Sequence, residues 1–116
     1  MKLEKRNGRV AEQIRKIMSG VILNKMKDPR LGFITITRVS VTDDLKYAKV
    51  YFSVYGSEKE KKGTEAVLGH SINYLQHELL GKLKMRSIPK LSFTFDPSIE
   101  HAFVIDKIIR KIHEEQ

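Results

Sequence analysis

The chain has 116 residues, 41% hydrophobic and 31% charged, with no cysteine and a formal net charge of +8. That length suits one domain with one core, and the composition excludes intrinsic disorder; the lack of cysteine excludes disulfides, thiol catalysis and cysteine-ligated metals. No apolar run reaches membrane-spanning length and no apolar signal segment follows the basic N-terminus, so the expectation is a soluble, cytoplasmic protein.

The positive charge is unevenly placed. Residues 1–30 carry +6 and residues 71–95 carry +3, around a nearly neutral middle, while residues 96–116 carry −2. Two basic blocks on a small domain point to a polyanionic partner, nucleic acid first.

Asn7 is a plausible N-cap for a first helix, whose Val10, Ile14, Ile17, Met18, Val21, Ile22 and Met26 fall on one stripe at helical period. The opposite face carries Arg9, Glu12, Gln13, Arg15, Lys16 and Ser19, with Glu12 and Lys16 spaced as an i,i+4 pair. Lys25, Lys27 and Arg30 crowd the end of this helix. Cations suit a helix C-terminus whether or not they bind anything. Asp28-Pro29-Arg30-Leu31-Gly32 then stops the helix, since Pro29 cannot continue it and Gly32 permits a tight turn.

The next stretch reads as a β-hairpin. Phe33–Val41 and Lys46–Tyr55 are rich in β-branched and aromatic residues, and Thr42-Asp43-Asp44-Leu45 joins them. In the second arm Ala48, Val50, Phe52 and Val54 share one face; Tyr47, Lys49, Tyr51, Ser53 and Tyr55 share the other. Ile34 and Ile36 are out of phase with Val39 and Val41, so a bulge is expected near Arg38. The tyrosines with Lys49 could stack bases, yet a half-covered strand looks the same in sequence.

Ser57 can cap a second helix that begins in the charged run Glu58–Lys62, with Gly63 expected to fray or break it. From Leu68 the apolar spacing hardens through Ile72, Leu75, Leu79 and Leu83, which predicts a core-facing helix bent around Ser71–Asn73. Lys82, Lys84, Arg86 and Lys90 lead into a third strand, Leu91-Ser92-Phe93-Thr94-Phe95. Asp96-Pro97-Ser98 is a helix start, and a terminal helix is expected over residues 97–116. The order α-β-β-α-α-β with that terminal helix makes a single-domain α+β two-layer sandwich with helices on one sheet face.

Little in the chain suggests catalysis. His70, His77, His101 and His113 form no helical metal-ligand pair, Asp43 and Asp44 are explained by turn chemistry, and no nucleophile or phosphate-loop motif occurs. The expectation is a non-enzymatic monomer that uses no metal or cofactor.

The element order resembles a type II KH domain, although no two glycines have the spacing of its GxxG loop. The pieces Arg9-Val10-Ala11-Glu12, Asp28-Pro29-Arg30-Leu31-Gly32, Asp44-Leu45-Lys46-Tyr47-Ala48-Lys49-Val50-Tyr51 and Arg86-Ser87-Ile88-Pro89-Lys90-Leu91-Ser92-Phe93 with Asp96 together resemble the ribosome-binding factor A family. That resemblance implies a KH-like fold in which a helix-kink-helix with an Ala-x-Gly signature replaces the GxxG loop. Ser71-Ile72-Asn73 occupy those positions here. It further implies an assembly factor that binds the free small (30S) ribosomal subunit near the 5′-terminal helix of 16S rRNA. Such a factor aids precursor processing, notably in the cold. The alternatives are a general KH-like RNA-binding or RNA-chaperone module without ribosome specificity, and a small nuclease or RNA-modifying enzyme. The residues expected to meet RNA are Arg9, Arg15, Lys16, Lys25, Lys27 and Arg30 in one block, Lys82, Lys84, Arg86 and Lys90 in the other, and Ser71 and Asn73 at the kink.

Overall fold

The computed structural model describes residues 6–96. The terminal helix expected over 97–116 lies outside them. Within them the order is α1 (Arg6–Lys25), β1 (Phe33–Val41), β2 (Tyr47–Tyr55), α2 (Glu58–His70), α3 (Ile72–Lys82) and β3 (Lys90–Phe95). This is the expected α-β-β-α-α-β arrangement.

The three strands form one sheet in the order β1-β2-β3. Strands β1 and β2 pair antiparallel across the hairpin, and β3 joins β2 in parallel. A parallel neighbour requires a crossover, which α2 and α3 supply. The hairpin loop closes on the side chain of Asp44, which accepts from the Thr42 hydroxyl (2.7 Å) and the Lys46 amide (3.1 Å). Leu45 takes a positive φ of 62° there, where glycine or asparagine would have been expected.

The register shifts between Ile36 and Arg38, so the expected bulge is present, with Thr37 as the extra residue. It returns Ile34, Ile36, Val39 and Val41 to the same helix-covered side, opposite Val54, Phe52, Val50 and Ala48. The core forms where that side meets the helices: Ile14, Met18, Val50, Phe52, Leu75 and Leu79 are fully buried. Phe52 packs at 4.5 Å against Phe95 with the rings tilted by 39°, and meets Phe93 edge-on at 6.5 Å, binding β3 to the centre of the sheet.

Several local expectations change. Asn7 is not a cap: α1 is already helical at Arg6, and the Asn7 amide donates to the Val41 carbonyl (3.0 Å) and the Asp43 carboxylate (3.1 Å). A polar partner on the hairpin outweighs local capping. Glu12 pairs with Arg15 rather than Lys16, because the guanidinium reaches both carboxylate oxygens one turn away. Gly63 neither frays nor breaks α2. A Cβ there would stand 3.1 Å from the Arg30 carbonyl, so glycine lets the Asp28–Leu31 turn lie against the helix. The expected Ser57 cap is present as a reciprocal capping box with Glu60.

Candidate nucleic-acid interface

The two basic blocks are brought near each other by the packing of α1 against α3. Lys25, in the last turn of α1, donates to Glu78 of α3 at 2.6 Å. That hydrogen bond is the main reason the Glu78 carboxyl sits below its ordinary pKa and the Lys25 ammonium above its own. Lys82, one turn further along α3, adds to the field favouring the Glu78 carboxylate. An acidic side chain therefore lies inside the basic cluster, a feature the spacing of cations did not reveal.

The remaining members of the blocks differ in how free their charges are. Arg9 and Lys16, seven residues apart on the outward side of α1, are exposed and make no ion pair with a described residue. The same holds for Lys27, Lys84 and Arg86. Arg15 is held by Glu12 and lines a groove between α1 and β1, on the side away from α3. Arg30 is turned back on Asp28, with Nε–Oδ1 at 3.2 Å and Nη2–Oδ2 at 3.0 Å. That bidentate contact keeps the Asp28 carboxyl below its ordinary range. Lys90 opens β3 beside Tyr47, on the sheet face opposite the helices. One residue of each block, Lys25 and Lys82, thus meets at Glu78, while Arg15 and Arg30 are held by carboxylates of their own and Lys90 lies on the other sheet face.

The kink lies between α2 and α3 at one residue. Ser71 has φ −95° and ψ 6°, yet its amide still bonds the Val67 carbonyl and its carbonyl still accepts from Leu75, both at 2.9 Å. Ser71 is half-buried; Asn73 is exposed and lies inside α3. Among the described non-glycine residues only Leu45 has a positive φ.

Among the described residues no group of three or more His, Asp or Glu side chains could hold a metal ion, and no helix is long and apolar enough to cross a membrane.

A family model described as ribosome-binding factor A matches residues 6–109. The chain belongs to the ribosome-binding factor A family. Relatives of that name include one from Staphylococcus carnosus, 45% identical over 91% of this chain and 92% of its own length. Another, from Geobacter metallireducens, is 40% identical over 97% of this chain and 95% of its own. Among solved structures, a Thermotoga maritima protein given the same family name superposes with a TM-score of 0.70 at 28% identity, covering 81% of this chain and 90% of that one. A homology model of the Thermus thermophilus ribosome-binding factor A, fitted into a cryo-EM map of its 30S complex, gives 0.64 at 24% identity, covering 75% and 91%. The KH-like fold stated from the element order stands in these neighbours as well.

Proposed function

We propose that this protein is a non-catalytic assembly factor that binds the free small ribosomal subunit and its 16S rRNA during late maturation, and aids processing of the rRNA precursor. It acts in the cytoplasm as a monomer, near the 5′-terminal helix of that RNA, and matters most during growth in the cold. Family membership carries this reading, and the Thermus relative placed in a 30S complex supports it. The residue chemistry is consistent with it. A chain of net charge +8 has exposed cations without ion pairs on α1 and in the segments that follow α1 and α3, which suits phosphate backbone.

The contact surface is assigned to Arg9, Lys16 and Lys27 with Lys82, Lys84 and Arg86, and to Ser71 and Asn73 at the kink as short polar contacts. Lys25 serves mainly to join α1 to α3 through Glu78. Co-sedimentation with separated ribosomal particles tests the reading. The protein should peak with free small subunits; a spread across every RNA-containing fraction would favour a general RNA-binding module instead.

A further inference from the structure

The sheet has a second face, and no described helix covers it. Alternation and register place on it Phe33, Thr35, Arg38 and Ser40 from β1, Tyr47 through Tyr55 at every second position from β2, and Lys90, Ser92 and Thr94 from β3. The outward residues of the strands contain three cations and four aromatic rings and no carboxylate, apart from Asp96 just beyond β3. Three of the rings are well presented, Phe33 at 82% exposed, Tyr55 at 71% and Tyr47 at 58%, while Tyr51 is half-buried and Ser53 beside it is buried.

Arg38 is the element that gives this face a defined shape. The bulge at Thr37 places it opposite Tyr51, and its guanidinium lies 3.8 Å from the centre of that ring. Beneath it, the buried Asp96 carboxylate stands 3.6 Å from Nε and accepts from the Thr37 hydroxyl at 2.7 Å. The guanidinium is thus held between the ring and the carboxylate while its side chain remains 59% exposed. A guanidinium over a tyrosine, with Lys49 in the next row and the Tyr47–Lys90 row beyond it, is the arrangement of planar groups and cations on which single-stranded nucleic acid can stack. The nine residues of β2 run about 26 Å along it.

We propose that this outer sheet face is a second RNA-binding surface, taking a single-stranded segment by stacking on Tyr47 and on the Arg38–Tyr51 pair, with Lys49 and Lys90 on phosphates. The proposal rests on reading the chain as an rRNA binder. It assigns the helical layer and the sheet to different parts of one RNA, so the protein would hold a single strand on one side and a folded element on the other. The face is chosen for RNA rather than protein because two of its three cations, Lys49 and Lys90, form no ion pair with a described residue, only Arg38 facing an acid (Asp96), and its aromatics are interleaved with them.

The test is fluorescence-anisotropy binding of a uridine oligoribonucleotide about ten nucleotides long, a length within the usual site sizes of such surfaces. Small-subunit binding is measured alongside it. Tyr47→Ala and Arg38→Lys should each weaken oligonucleotide binding about tenfold, the size of one lost stacking contact. Arg38→Lys keeps the charge beside Asp96, so folding is preserved and only the flat stacking surface is lost. Arg9→Ala and Lys16→Ala should leave oligonucleotide binding within about twofold while weakening subunit binding. Unchanged oligonucleotide binding in Tyr47→Ala and Arg38→Lys overturns the proposal, as does a wild-type protein that binds subunits but no single strand. So do sheet variants that lose subunit binding alone, which would mark a protein contact. Loss of oligonucleotide binding in a protein that never associates with subunits would support the sheet surface and reject the ribosomal reading.

Discussion

Thr64 shows how one hydroxyl fixes the entry to the sheet. It is fully buried in α2, and its Oγ1 accepts from the Gly32 amide at 2.9 Å, just where the chain leaves the Asp28–Leu31 turn for β1. Gly63, beside it, lets the Arg30 carbonyl approach. Thr64→Val keeps the shape and removes the acceptor, leaving a part-buried amide without its bond. Chemical denaturation should show a loss of about 1–3 kcal/mol. An unchanged midpoint would mean that water replaces the hydroxyl. The Lys25–Glu78 contact makes a different kind of prediction, one of pH. Lys25 depresses the folded-state pKa of Glu78, so the stabilisation is complete above the ordinary glutamate range and is lost as pH falls through the folded value. Wild type should therefore melt above Glu78→Gln at pH 7, and the gap should narrow progressively as the pH of the melts falls below the ordinary glutamate value of about 4.3. A gap independent of pH would show that the ionic form of Glu78 is irrelevant to the α1–α3 contact.

At the scale of elements, the apolar stripe of α3 is the firmest link between sequence and fold. Leu75 and Leu79 are each fully buried, as their spacing with Leu68 and Leu83 required. Leu75→Ala or Leu79→Ala should cost about 2–5 kcal/mol in denaturant unfolding. A loss below about 1 kcal/mol would mean that the site collapses around the smaller side chain. Periodicity made the strands, the bulge and the helix order readable, because period and phase are properties of the sequence itself. It could not place Asn7, whose amide finds its partners on the hairpin, 34 and 36 residues away in sequence. Nor could it show that Ser71 alone absorbs the break between α2 and α3: with helical hydrogen bonds on both sides, the residue's only local mark is its backbone angle. Arg38 over Tyr51 was hidden for a related reason. The bulge signalled a change of phase, but the ring and the guanidinium meet only through cross-strand register.

For the whole molecule, the distribution of charge leads to a prediction about salt. Binding to RNA releases counterions from phosphates, and an arginine already paired with its own carboxylate contributes little to that release. Arg15 with Glu12 and Arg30 with Asp28 are in this position, as is Lys25 with Glu78. Arg9, Lys16, Lys27, Lys84 and Arg86 are exposed without such partners among the described residues. If about six cations neutralise phosphates, log affinity for small subunits should fall against log salt with a slope near −4 to −5. Replacing Arg9, Lys16, Lys84 or Arg86 with alanine should flatten the slope by about one unit each and leave the melting temperature nearly unchanged. Arg15→Ala and Arg30→Ala should flatten it by clearly less, because their loss also frees an acid that repels the RNA without removing a phosphate contact. Lys107, Arg110 and Lys111, in the net acidic segment 96–116, complete the comparison and should leave the slope unaltered. A salt titration of subunit binding across these three sets decides the matter. Equal slopes for exposed and paired cations would show that the intramolecular pairs open on binding, and equal losses from the tail set would move the interface away from α1 and α3.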